Sequence, residues 1–160
     1  MMLRYVYLNN KYINFKDAKV HIEDRGLQFS DSVYEVVKVI NNKVLDFDFH
    51  IRRLKYSIKE LNFNFIIDKK KLQEVFNTLV KKNYLSNGII YLQITRGVQS
   101  RAHAYQKSLK PNIIIYTDRK KFNLPNNKYK GYKAITYPDI RWGRPDIKTT
   151  SLLANILAAT

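Results

Sequence analysis

The chain of 160 residues contains no cysteine. That excludes a disulfide framework, a thiolate metal site and a thiol nucleophile. Five glycines leave little material for a loop that cradles phosphate through its backbone. Acidic residues are scarce, 13 against 29 Lys and Arg, which sets the net charge at +16. No apolar run approaches the length that crosses a bilayer. The first ten residues, Met1 to Asn10, lack the apolar stretch and small-residue cleavage site of a signal peptide. Together these absences predict a cytoplasmic protein with no membrane partner. His21, His50 and His103 stand far apart, without ligand spacing, so no metal site is expected. A serine-elbow motif is missing too.

What is present is a globular composition, 45% hydrophobic and 26% charged, at a length that fits one domain or one domain plus a fragment of another. A basic excess attracts nucleic acid, anionic membranes or anionic small molecules. Here the lysines run along the whole chain, as in the Lys-, Asn-, Ile- and Tyr-heavy proteins of AT-rich genomes. A diffuse excess has no reading element, so a nucleic-acid-binding module is the weakest of the functional readings.

The first segment reads as strands at Tyr5–Leu8 and 11–15, joined by Asn9 and Asn10 in a hairpin turn. A second hairpin is expected from 33–40 and 43–47 around Asn41 and Asn42. Two amphipathic helices follow. Asp48 is the expected cap of the first, whose apolar stripe is Ile51, Leu54, Ile58 and Leu61; Asp68 is that of the second, with Leu72, Val75, Phe76, Leu79 and Val80 on one face. Strands are expected at 89–95 and 111–117, a basic linker at 119–130, a further strand at 131–137 and a final helix over 149–159. Strands and helices in separate runs predict an α+β fold. The division is 1–118 as an N-terminal domain, 119–130 as linker and 131–160 as the start of a second domain.

Four places carry side chains suited to chemistry. Lys148 is an amine between a strand end and a helix start, with Arg141 and Arg144 nearby in sequence to lower its proton affinity; any single lysine is more often a solvated one. Arg53 lies beside the apolar stripe of the first helix, where a guanidinium can grip a phosphate or merely snorkel. His50, on the same helix, reads as a packed, hydrogen-bonded histidine. Arg101 and His103 form a cationic fork and an imidazole on one polar loop, suited to a carboxylate. Tyr34 opens a strand; among twelve tyrosines the ordinary reading is a packed aromatic.

Taken in order, Asp24 to Gly26 with Asp31 and Val33–Glu35, then His50, Arg53 and Leu54, then 91–97 with Arg101 to His103, then Asp139 to Trp142 with Asp146 to Lys148, the chain resembles the class IV (fold type IV) pyridoxal-phosphate aminotransferases. The Arg101–His103 loop favours the D-amino acid aminotransferases over the branched-chain enzymes and aminodeoxychorismate lyases of the same fold. The resemblance implies a two-layer α/β sandwich plus the first strand and helix of a second domain. It implies pyridoxal 5'-phosphate as cofactor and amino-group transfer between a D-amino acid such as D-alanine and a 2-oxo acid.

By the same resemblance Lys148 carries the cofactor and moves the proton. Arg53 binds the cofactor phosphate. Tyr34 and Arg141 stand beside the cofactor, and Tyr34, Arg101 and His103 trap the substrate carboxylate. In the family the last pair reach in from the partner subunit of a homodimer. Departures accompany the match. Serines, Ser30 and Ser32, flank Asp31 where the family has glycine, which adds strain if either position needs φ > 0. Thr149 to Ser151 replace a Ser-Leu-Asn tendency. The resemblance covers about the N-terminal half of the family's length, which predicts a truncated chain with Lys148 on an exposed stub. Such a chain would need a separate C-terminal half or be the non-catalytic remnant of a degraded gene.

Overall fold

The computed structural model describes residues 4–122, 133–136 and 138–159. Its frame is a six-stranded antiparallel sheet in the order β2-β1-β6-β5-β3-β4. The strands are β1 (Tyr5–Leu8), β2 (Lys11–Asn14), β3 (Ser32–Ile40), β4 (Lys43–Val44), β5 (Gly88–Thr95) and β6 (Asn112–Arg119). The helices are α1 (Arg25–Phe29), α2 (Phe47–Glu60), α3 (Lys69–Lys82) and α4 (Leu153–Ala159). The fold is α+β, two layers deep, with α2 packed on β3 and α3 on β1 and β6.

Both Asn-Asn turns form as expected. Asn9, Asn10, Asn41 and Asn42 all have positive φ, the condition of a tight primed hairpin turn, and asparagine tolerates it better than most residues. The helical stripes also close on the sheet. Ile51, Leu54 and Ile58 from α2 and Val75, Phe76, Leu79 and Val80 from α3 are buried against Val37, Ile90 and Ile115. Asp68 caps α3 by accepting the Lys71 amide.

Three expectations are corrected. The cap of α2 is Asp46, in the left-handed region and without a side-chain cap bond, while Asp48 sits in the first turn and pairs with Lys69. Residues 45–47 leave the hairpin early because Phe47 is already helical and buried, stacked edge-on against Phe76 at 5.4 Å. The final helix starts only at Leu153, because the backbone of Thr149 and Thr150 is spent on the edge of β3. Its Leu153, Ile156 and Leu157 are exposed. Gly131, Tyr132 and Tyr137 of the expected 131–137 strand, and 123–130 of the expected linker, lie outside the described residues; Lys133–Thr136 forms no strand.

Spacing missed α1, a single short turn after Asp24, whose side chain caps it at Gly26. It ends on Ser30 at φ 54°, ψ 23°. A left-handed residue with a Cβ costs roughly 1 kcal/mol that glycine avoids. Ser32, by contrast, lies in the extended backbone of β3. Ser30→Gly is therefore expected to raise stability by about 1 kcal/mol and Ser32→Gly to lower it, read as opposite shifts of the urea midpoint.

Candidate functional site

β4 pairs only with Val39 and Ile40. The first residues of β3 are thus bare on the side away from β5, and an unpaired strand edge recruits whatever backbone is available. Here it recruits the segment around Lys148. The Tyr34 amide donates to the Lys148 carbonyl at 3.0 Å, the Thr150 amide donates to Ser32 O, and Val33 and Thr149 form an isolated bridge. From the other side the Lys148 amide donates to Ser57 Oγ at 3.1 Å, and Ser57 is fully buried. Ser32 and Thr150 share a hydroxyl bond of 2.6 Å. Ile147, between these contacts, is buried.

Lys148 is consequently half-buried rather than an exposed stub. Its Nζ lies 4.2 Å from the centre of the Tyr34 ring, within cation–π range. Tyr34 in turn stacks on Tyr91 and Tyr91 on Tyr116, a ladder across β3, β5 and β6 on the face away from the helices. Burial, and then the neighbouring Tyr116 and Tyr34, push the Tyr91 hydroxyl up to about 12.

The next residue of β3, Glu35, points to the helical side and is fully buried. Arg53 Nε donates to its Oε1 at 2.7 Å and Arg53 Nη2 to its Oε2 at 2.6 Å. His50 Nδ1 lies 2.7 Å from the same Oε2. The bond to Glu35 holds the Arg53 guanidinium above its usual proton affinity, against some desolvation. His50, Arg53 and Ser57 follow at i, i+3 and i+7, one face of α2. Two elements therefore meet at the bare edge of β3: its successive residues Tyr34 and Glu35 face opposite sides of the sheet, and α2 offers Arg53 and, a turn later, the hydroxyl that holds Lys148.

Arg101 and His103 form a second cluster. The loop is exposed, but its shape is set from below by Arg25, whose Nη1 donates to Ala102 O at 2.7 Å and Nη2 to His103 O at 2.9 Å. Both side chains rest on Phe29, the Arg101 guanidinium 4.7 Å from the ring centre and the His103 ring edge-on at 5.7 Å. Among the described residues no hydrogen bond or ring contact joins this cluster to Tyr34, Arg53 or Lys148.

Arg141 and Arg144 do not supply the field expected around Lys148. Arg141 closes on Asp139 two residues away, in the open, and holds that carboxyl down at about 2. Arg144 bridges Asp146 and Glu60. Tyr56 donates to Asp146 at 2.6 Å. A local carboxylate satisfied each cation first, and Arg144 became a clip that fastens the Lys148 segment to α2 rather than a neighbour of the amine.

Spacing on its own missed Glu35 and Arg25. Neither sits at a telling interval from its partners. The available signal was only that a charged residue in an apolar strand, or at a helix start beside a buried Asp, needs a counter-ion. Chemically, an amine over an aromatic ring suits a carbonyl compound, and a half-exposed cationic fork suits an anionic group. The exposed Arg–His loop suits a carboxylate.

Comparison with known proteins follows the same lines. Residues 32–160 match the family model described as Amino-transferase class IV. The chain is 40% identical over 157 residues to a D-alanine aminotransferase of Listeria monocytogenes, covering 96% of this chain and 54% of that protein. A D-alanine aminotransferase of Staphylococcus epidermidis is 37% identical over 155 residues with the same coverage. The chain thus spans about half the length of the curated relatives it matches. Among solved structures, a branched-chain aminotransferase of Thermoproteus uzoniensis superposes with a TM-score of 0.83 at 19% identity, over 98% of this chain and 55% of that one. That of Escherichia coli gives 0.69 at 23% identity, over 74% and 40%. At such identities the structural likeness speaks for the fold.

Proposed function

We propose, because this chain belongs to the class IV aminotransferase family, that it forms the amino-terminal half of a D-amino acid aminotransferase, exchanging an amino group between D-alanine and a 2-oxo acid. The two D-alanine aminotransferase relatives support the substrate class. Pyridoxal 5'-phosphate is the cofactor this reading requires, and a superposing branched-chain enzyme carries pyridoxamine 5'-phosphate.

The residues present suit that group. Lys148 offers an amine sheltered on an aromatic face. Arg53 offers a guanidinium that is still 47% exposed while tied to Glu35. Bound there, the cofactor supplies an electron sink for the substrate α-carbon. The chain's own part is to hold and to move protons. The Lys148 ε-amine would carry the cofactor and take up or return the proton at Nζ. Arg53 grips the phosphate, and Tyr34 underlies the amine. Arg101 and His103 receive the substrate carboxylate, from the partner subunit of a homodimer. Arg141, paired with Asp139 in this structure, would have to leave it to stand beside the cofactor. A C-terminal half, on this or another polypeptide, would complete the site.

One observation carries the reading: the backbone of Lys148 is bonded on both sides, to Tyr34 and to Ser57, which fixes the root of a side chain whose amine lies over the Tyr34 ring. Incubating the intact chain with pyridoxal phosphate, reducing with borohydride and mapping the product tests it. One label per chain at Lys148, absent from Lys148→Ala, is the expected result. Labels scattered over the surface lysines would overturn it and favour the non-catalytic remnant.

A further inference from the structure

Glu35 has no task in that scheme, yet its carboxylate is among the most deeply buried groups of the described chain, with its side chain 1% exposed. An ionised carboxylate persists in an interior only when paired and hydrogen-bonded. Glu35 is met by three contacts, two from Arg53 and one from His50 Nδ1. How it takes the Arg53 fork is the informative part. A guanidinium has five N–H donors. Glu35 occupies the edge formed by Nε and one hydrogen of Nη2. The opposite edge, Nη1 with the second Nη2 hydrogen, remains. Two parallel N–H groups on that edge match two oxygens of a phosphate.

Arg53 also lines a recess of about 360 Å³ together with Asp46, Phe49 and His50, ample room for a phosphate group. Phe49 gives it an apolar wall. The Asp46 carboxylate, exposed at the start of α2, is the one anion on its lining. His50, with Nδ1 committed to Glu35, keeps Nε2 uncommitted among the described residues.

We propose that Glu35 is a positioning residue: by holding the inner edge of Arg53 and Nδ1 of His50, it fixes the outer edge of the guanidinium toward the recess as a two-pronged receptor for a phosphomonoester. The inference rests on the reading that Arg53 takes the cofactor phosphate and adds what aims it. It makes a prediction opposite in sign to simple electrostatics. Charge alone says that removing a carboxylate beside Arg53 tightens phosphate binding. Positioning says that it loosens it, because a long side chain on a helix surface then has to be ordered for every binding event.

The test is titration of the intact chain with inorganic phosphate, followed through the Arg53 Nε–H and His50 ring resonances. Wild type is expected to bind saturably, and Glu35→Gln, of the same shape, about tenfold more weakly. Arg53→Lys keeps the charge without the fork and serves if Glu35→Gln fails to fold; it too is expected to lose about tenfold. Equal or tighter binding by folded Glu35→Gln overturns the proposal. So does unchanged binding by Arg53→Lys, or no saturable binding by wild type. A purely structural Glu35 would lower the melting temperature and leave phosphate affinity alone. Lys148 labelling reports separately. If phosphate binding depends on Glu35 while Lys148 takes no label, the aminotransferase reading fails and the positioning role stands.

Discussion

Arg25→Ala is expected to cost about 3–5 kcal/mol of stability and to release the Arg101–His103 loop. Arg25 is 4% exposed. Its Nε donates to Asp31 at 2.8 Å, and its remaining bonds go to the carbonyls of Ala102 and His103, 77 and 78 residues along the chain. It also lies over the Phe29 ring on which Arg101 and His103 rest. Removing it strands two loop carbonyls and takes one cation from Asp31. Asp31 keeps its bond to Arg96, which continues to the carbonyls of Leu61 and Asn62 just after α2. The sheet therefore survives while the loop does not. Urea unfolding reads the first effect. The His103 ring resonances read the second, moving to the positions of a free imidazole. A stable variant with an unchanged His103 environment would show that the loop holds its shape without Arg25.

Gly97→Ala is the second large effect, roughly 3 kcal/mol or more. Gly97 has φ +116°, and a Cβ there would meet the carbonyl oxygen of Lys110 at 2.3 Å. Backbone, not a flexible side-chain end, would have to move. The same residue's carbonyl accepts the Arg25 amide at 2.9 Å, and its neighbour Val98 bridges Asp24. Strain at Gly97 is thus delivered to α1 and to the loop that Arg25 supports. The expected signature is a lowered urea midpoint together with altered His103 resonances. Gly143, with nothing within 4 Å of its Cβ position, is the control, and Gly143→Ala is expected to change stability by less than about 0.5 kcal/mol.

Most of the frame was legible before any coordinates. Apolar runs rich in β-branched and aromatic residues marked β1, β3, β5 and β6, and helical spacing marked α2 and α3, because a helix buries one face with its own period. The Asn-Asn pairs marked both hairpins. What local pattern misjudged lies where tertiary demand competed. The 149–152 segment reads as helix by its apolar spacing but is drawn to the open edge of β3. Asp48 reads as a cap, but the chain reaches α2 through a left-handed Asp46.

The site divided the same way. Lys148, Arg53, Tyr34, Arg101 and His103 were picked out by residue type and motif order. That Lys148 is held on Tyr34, that Arg53 and His50 share Glu35, and that Arg25 carries the Arg101–His103 loop were not. These partners lie between 15 and 114 residues apart in the chain, and no spacing rule spans such gaps.

By itself, then, the amino-acid order determined the fold class, the turns and the inventory of amines and guanidiniums, since each of those is set within a few neighbouring residues. Which cation meets which carboxylate was decided only by the folded chain. Sheet register and the bare edge of β3 choose the partners, and a buried charge takes whichever counter-ion the packing brings within hydrogen-bond reach.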